Sequence, residues 1–520
     1  MLIASLPCEG ALGASSESSA RLAEALRDPA CYPHPAAEVT MRETHISYVL
    51  LAGEFAYKVK KPVRLPFLDF STLEARRHWC LEELRLNARF APELYLDVVP
   101  ITPGPRVSGP GKAIEYAVRM KRFPAGALLC EHATAGTLSR EHVDALALRL
   151  ASFHAAAPRC ERAPDRGRRW AGAALDNFRE MQALASAHAA RLDALRAWTE
   201  REAGTLAGAF GARAATGFER DCHGDLHLAN VALVDGKPLM FDCIEFSAAW
   251  RNTDTAADVA FLTMDLERHG LAGLRARFLD RYLEASGDHA MLAVLRFYEV
   301  YRAMVRAKVA LLGGARAGFD AYLATGERLS LRAPPALVLM QGLSGSGKTV
   351  VSGELLEATG AIRLRSDVER KRLHGLTALE RARAAPGAGI YNASAGRETY
   401  ERLETLARVA LAAGYAVIVD ATFLRRADRD RFRVLAGQTG AAFQIAACTA
   451  SAGVLRERVA RRERGGDASD AGIAVLEEQL GRFEPLDGEE GARATVIDTG
   501  DARARERAVR ALARRMGTAT

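Results

Sequence analysis

The sequence predicts a multidomain chain in which an α+β region is followed by an α/β region built on a parallel sheet. Three observations predict it. The chain has 520 residues, too many for one hydrophobic core, so two or three domains are expected. Residues 40–121 read as β-rich runs around one helix, and a long Ala-, Leu- and Arg-rich helical stretch follows. After residue 335 short apolar strands alternate with helical segments, the pattern of a parallel sheet covered on both faces.

Composition narrows the class. Hydrophobic residues make up 49% and charged residues 26%, as in an ordinary soluble protein. No apolar run reaches the roughly 18–20 residues a membrane span needs, so no membrane partner is expected. The Ser-rich start lacks the basic opening of a signal peptide. The eight cysteines are scattered without a C-x-x-C pair, which argues against a zinc site and fits reduced thiols in the cytoplasm. The formal charge of +7 suits phosphate-bearing ligands as well as nucleic acid. Of 71 basic residues only nine are lysines, and three of those stand together as Lys58, Lys60 and Lys61. A retained lysine in an arginine-rich chain suggests a need for a compact point charge.

In chain order, residues 1–34 form a leader with a helix. Residues 35–125 form a small mixed sheet: a hairpin turning at 52–54, a helix opened by a Ser71/Glu74 capping box and running on toward Pro92, and a strand pair joined by a Gly/Pro-rich turn near 103–111. Residues 126–328 are helical, interrupted at 219–246 by a loop, a short strand, a "DGK" turn and a second strand. "GERLSLRAPPA" at 326–336 carries the boundary, and residues 335–520 form the last domain.

The interruption holds the first chemical motif. "HGDLHLAN" places Asp225 and Asn230 five apart on a loop, and Asp242 follows at the end of the next strand. In kinase catalytic loops an Asp accepts the substrate hydroxyl proton, an Asn five residues on binds Mg²⁺, and a second Asp after a hairpin binds the metal bridging the phosphates. His223 and His227 read as braces of this loop. Such a site also needs a lysine for the phosphates and a glutamate to hold it. Lys58 is favoured and Lys60, on the same strand face, is its rival. Glu83 is favoured as the partner, with Glu82 and Glu74 as alternatives.

These stretches, with "FDCIEF" and "RNTDTAADVAFL", resemble the aminoglycoside phosphotransferase and choline kinase branch of the protein-kinase-like fold, over roughly residues 35–325. The resemblance implies a two-lobed domain that binds ATP and Mg²⁺ and transfers phosphoryl groups, with Asp258 bracing the catalytic loop. It does not name the acceptor. The hairpin near 47–57 lacks the G-x-G-x-x-G of protein kinases, as is usual in the small-molecule branch. The whole chain resembles bacterial two-domain proteins that join this domain to a C-terminal ATP-binding domain.

The second motif is "GLSGSGKT", which fits G-x-x-x-x-G-K-[ST] between an apolar strand and a helix. The amides of Gly342, Ser344, Gly345, Ser346 and Gly347 are expected to cradle phosphates, Lys348 to reach the β- and γ-phosphates, and Thr349 to ligate Mg²⁺. Asp420 ends "YAVIVDATF" at a Walker-B-like position. Ala421 follows it where motor ATPases carry a glutamate, which points to a kinase. Asp367 and Arg370 resemble the Asp-x-x-Arg of 5′-polynucleotide kinases, which implies a general base and an anchor for an acceptor phosphate. "VLRERVARRERGGDASDA" resembles a kinase lid, with Arg458 and above all Arg462 on the phosphates.

Two basic stripes remain. Arg302 and Arg306 lie four apart on one helix face, read as solvated, with an anionic acceptor as the alternative. The tail "DARARERAVRALARRMG" packs on the sheet or touches nucleic acid; without aromatics to stack bases, nucleic acid is not favoured. The expectation is a bifunctional ATP-dependent phosphotransferase with small-molecule or nucleotide-like acceptors. A nucleotide-sensing regulator and a 5′-hydroxyl polynucleotide kinase are the alternatives. Oligomeric state is not legible.

Overall fold

The structure, a computed structural model, describes residues 13–65, 68–160, 166–378, 380, 389–463 and 472–517. They form two compact units. One comprises the chain up to His269 together with Val294–Ser330; the other comprises Gly270–Ala293 together with Leu331 onward.

In the first unit a six-stranded antiparallel sheet runs in the order 39–43, 47–52, 55–60, 115–121, 95–102, 106–107. The helix Leu73–Asn87 packs on it. Its N-cap is Thr72, whose hydroxyl accepts from the Ala75 amide at 3.1 Å. The Ser71/Glu74 capping box is therefore not formed: Ser71 turns back to Asp69, with its amide 2.9 Å from the carboxylate. The helix also stops at Asn87, short of Pro92, and Leu81 faces outward at 41% exposure.

The helical part of this unit closes around Phe178, Phe261, Met264, Val300 and Phe319. The interruption at 219–246 folds as expected: strands Val231–Val234 and Lys237–Met240 pair antiparallel. Asp235 and Gly236 turn between them at φ of 49° and 72°, the left-handed pair of a type I′ hairpin.

The second unit has a five-stranded parallel sheet ordered 362–365, 417–420, 336–341, 442–449, 494–498. Strand 336–341 is buried throughout, which explains its unbroken apolar sequence. The helix Ala502–Arg515 covers one face through Val509, Leu512 and Ala513, so the basic tail packs on the sheet. The helix Ala272–Ser286, drawn from the middle of the kinase-like sequence, joins this unit. It packs on Lys348–Thr359, with Ala276 in the same core. No described helix is long and apolar enough to cross a membrane.

Candidate active sites

In the first unit the hairpin strand Phe55–Lys60 presents Lys58 and Lys60 on one face. Both reach Glu83: Lys58 Nζ lies 2.8 Å from Oε1 and Lys60 Nζ 2.7 Å from Oε2. Their other contacts separate them. Lys58 bonds Asp242 and lines a cavity of about 440 Å³, whereas Lys60 bonds Glu245 and is wholly buried. Glu82 is instead paired with Arg85 on the helix surface. Burial pulls the Lys58 ammonium down, but the carboxylates of Asp242 and Glu83 reverse that and hold it well above the usual range. Burial raises the Glu245 carboxyl against the opposing pull of Lys60.

The cavity is walled by Val49, Leu51, Ala56, Met120, Phe123 and Phe241, an apolar slot of the kind that takes a flat heterocycle. Asp225, Asn230 and Asp242 line it as well. The loop 223–230 is held through its own backbone amides. Asp258 accepts the amides of His223 at 2.8 Å and Gly224 at 2.9 Å, and Asp265 accepts that of Leu228 at 3.0 Å. His154 supports Asp258 from behind at 3.4 Å. Burial raises the Asp258 carboxyl, but the bond from His154 and the charges nearby bring it below the ordinary value. His223 takes the Asp225 amide on Nδ1 at 3.3 Å and lies 2.9 Å from the Phe241 carbonyl through Nε2. Those partners fix an Nε2–H tautomer, and burial lowers its basicity. It is a brace, tying the loop to the hairpin that leads to Asp242.

Asn230 Nδ2 donates to the Asp225 carbonyl at 2.9 Å, which leaves its side-chain carbonyl as a hard oxygen donor. Asp242 stands at φ 61°, a left-handed conformation uncommon for a side-chain-bearing residue and concentrated at functional turns. Its amide donates to the Tyr95 hydroxyl at 3.1 Å. The next amide, of Cys243, donates to Asn87 Oδ1 at 2.9 Å. Asn87 in turn bonds the Glu83 carbonyl, so the glutamate helix and the Asp242 turn are fastened together. One carboxylate and one amide oxygen in a cleft that also holds a lysine fit Mg²⁺ bound with a triphosphate.

In the second unit the loop Gly342–Thr349 leaves the end of the central strand, at the point where strand order reverses, the usual ligand crevice of such sheets. Gly345 has φ 81°, and a Cβ there would lie 2.7 Å from the Leu455 carbonyl. Gly345→Ala is expected to weaken nucleotide binding to this unit at least tenfold, measured by calorimetry, because the loop must deform. Lys348 Nζ rests on the Gly342 and Leu343 carbonyls at 2.7 and 2.8 Å. The Ser344 amide donates to Gln479 Oε1 at 2.8 Å, and Ser346 Oγ is buried without a hydrogen bond. A side-chain oxygen on one loop amide and an unsatisfied hydroxyl beside it fit a cradle for phosphate oxygens. Ser352 Oγ bonds Asp420 at 2.9 Å, setting that carboxylate beside Thr349.

Ser344, Gly345, Lys348, Thr349, Asp420 and Gln479 line a cavity of about 990 Å³, and Asp367 and Arg370 line it too. Arg370 pairs with Asp367 at 3.2 Å and lies over the Tyr391 ring at 5.5 Å. Arg458 is held by Thr499 Oγ1 at 2.8 Å and by the Gly345 carbonyl at 3.3 Å, so it braces the loop. Arg461 lines the cleft. The Arg462 side chain and the lid stretch 464–471 lie outside the described residues. Sequence reasoning missed Gln479, whose role no local pattern announces, and the network behind Asp420. There Arg363 Nη1 reaches Ser352 Oγ at 3.3 Å, while its other edge grips Asp280 of the helix Ala272–Ser286, Nη2 at 2.6 Å and Nε at 3.1 Å.

Arg302 and Arg306 are not on a solvated face. Arg302 is 3% exposed, with its guanidinium 4.6 Å from the Phe261 ring centre. Arg306 lines the Asp225 cleft. The helix Leu292–Leu312 packs its arginine stripe inward, where aromatic faces and carbonyls receive it.

The fold and these clefts define a two-domain phosphotransferase, a kinase-like domain followed by a P-loop kinase-like domain. Residues 76–298 match the Phosphotransferase enzyme family and residues 337–486 an AAA domain. An uncharacterized protein of Mycobacterium tuberculosis and one of Mycobacterium bovis are each 33% identical over 464 residues, spanning 86% of this chain and 92% of theirs. The chain belongs to the family of these mycobacterial proteins. Among solved structures it is similar to a choline/ethanolamine kinase family protein from Mesorhizobium loti (16% identity, 60% of this chain and 94% of that one, TM-score 0.38). It is also similar to a gluconokinase from Sinorhizobium meliloti (22% identity, 35% and 96%, TM-score 0.26).

Proposed function

We propose that each unit is a separate ATP- and Mg²⁺-dependent phosphotransferase, so that one chain carries two activities on hydroxyl acceptors. The observation that carries the reading is the company Lys58 keeps: it is bonded to Glu83 and Asp242 in the same cleft as Asp225 and Asn230. Lys58 neutralises phosphate oxygens and Glu83 aims it. Asp225 orients the acceptor hydroxyl and takes its proton. Asn230 and Asp242 are the residues that would hold Mg²⁺, whose charge offsets that of the transferring group. In the second unit Lys348 and the loop amides hold the triphosphate, Thr349 and Asp420 would hold the metal, and Asp367 faces the acceptor with Arg370 beside it. Arg462 is kept as a lid residue of this site on sequence grounds alone.

The test is Mg²⁺-dependent transfer from γ-labelled ATP by the wild type, Asp225→Ala and Lys348→Ala, against sugars, nucleosides, aminoglycosides and 5′-hydroxyl oligonucleotides. Each substitution is expected to abolish a different labelled product. If neither changes any product, two activities are refuted.

The two neighbouring lysines separate by experiment. Lys58→Met is expected to cut transfer at the first site by at least 10²-fold with the fold intact. Lys60→Met leaves Glu245 and half of Glu83 buried without their cation. Breaking such a pair costs about 3–5 kcal/mol, so this variant is expected to lose stability in urea titration. Equal kinetic losses with equal stability would show that the two do not divide the work in this way.

A further inference from the structure

We infer that the acceptor of the kinase-like site carries an acidic group, a carboxylate or a phosphate, received by Arg306 beside Asp225. The inference rests on the reading of that site as a phosphotransferase. Asp225, His227 and Arg306 line one cavity. Arg306 Nη1 lies 3.4 Å from His227 Nε2, and His227 Nε2 lies 3.6 Å from Asp225 Oδ2. Arg306 is thus one imidazole away from the carboxylate that faces the acceptor hydroxyl. Its guanidinium lies 5.5 Å from the Tyr322 ring centre, and its Nε is buried without a hydrogen bond to the protein. A guanidinium held by Tyr322 and His227, with one donor unspent, matches recognition of an oxygen of a carboxylate or phosphate.

The charge balance of the cleft points the same way. Asp225, Asp242 and the triphosphate make this end of the site negative. A hydroxyl acceptor bearing an ammonium is drawn there without help, and an arginine at this place opposes it. An acidic acceptor is repelled by the same groups and needs a fixed cation close to its hydroxyl. Arg302, one turn earlier, cannot serve: it is buried against Phe261 with its Nε 3.4 Å from the Ala257 carbonyl. Glu131, an acid on the cavity wall, accepts the Leu128 amide at 3.1 Å and caps its own helix. In the transfer itself the acceptor oxygen bonds the γ-phosphorus, the bond to the bridging oxygen breaks and leaves its electron pair on ADP, and the acceptor proton passes to Asp225. Arg306 holds the acid group and takes no part in these bonds.

The test uses the full chain carrying Lys348→Ala, which silences the P-loop site, with and without Arg306→Gln or Arg306→Lys. Gluconate, glucose 6-phosphate, glucose, glucosamine, choline and kanamycin are titrated by calorimetry in the presence of Mg-ADP, and transfer is followed with γ-labelled ATP. An acid is expected to bind at least tenfold more tightly than glucose. Arg306→Gln is expected to erase that preference with Mg-ADP affinity retained, and Arg306→Lys to restore part of it. Preference between gluconate and glucose 6-phosphate tells carboxylate from phosphate. Tighter binding or faster phosphorylation of glucosamine, choline or kanamycin would overturn the inference, as would acid affinities that Arg306→Gln leaves unchanged. Arg306-dependent acid binding with no transfer of label would sink the phosphotransferase reading and leave the anion site standing.

Discussion

Asp225→Asn is expected to lower phosphoryl transfer at the kinase-like site by about 10²–10⁴-fold, the range a positioned general base contributes, with Mg-ATP affinity little changed. The substitution is informative because it leaves the loop in place. The shorter bond that anchors Asn230 runs to the Asp225 backbone carbonyl at 2.9 Å, and its contact with the carboxylate is longer, at 3.4 Å. Asp258 and Asp265 hold the loop by backbone amides at His223, Gly224 and Leu228. What disappears is the carboxylate proposed to accept the proton. Single-turnover measurement with γ-labelled ATP reads the chemical step directly. A loss smaller than tenfold would remove Asp225 from the role of base.

Asp280→Ala is expected to destabilise the P-loop unit by about 3–5 kcal/mol, the cost of breaking a buried ion pair by removing one partner. The two Asp280 oxygens take the Nε and Nη2 edge of the Arg363 guanidinium, and the two residues are 5% and 7% exposed. Glu284 lies further off, 3.5 Å from Arg363 and 3.4 Å from Arg365, and must already serve both. Arg363 also touches Ser352, which positions Asp420, so nucleotide affinity should fall with stability. Urea titration of the full chain reads the first effect and calorimetry with Mg-ATP the second. Replacing the pair together, by Asp280→Leu with Arg363→Met, should recover much of the stability, because packed apolar groups often match a buried ion pair. A single substitution that leaves the urea midpoint unmoved would show the pair to be incidental.

Much of the architecture was legible because its signals are local. The loop 223–230, the "DGK" hairpin and the P-loop each lie within a few residues, and their side chains are placed by turns the same residues form. The lysine strand was legible too, but not the division of labour upon it. Lys58 and Lys60 share a face, and only the distant Asp242 and Glu245 separate them. Thr72 displaced Ser71 as N-cap because Asp69 captures the Ser71 hydroxyl as well as its amide, a competition between short-range bonds that spacing alone does not decide. Arg302 and Arg306 looked solvent-facing because charge usually is; what buries them is Phe261 and Tyr322, brought in from other helices. Asp280 and Arg363 lie 83 residues apart, on a helix and a strand that no periodicity joins.

The helix Ala272–Ser286 has one more consequence. The chain leaves one unit for the other after His269, after Ala293 and again after Ser330, so it is stitched rather than strung. A protease that cuts between Pro334 and Pro335 severs only the last of those stitches. The nicked protein should still run as a single species under native conditions and fall into two pieces only in denaturant. By the same topology, a gene truncated to begin at residue 331 encodes a sheet stripped of one of its covers.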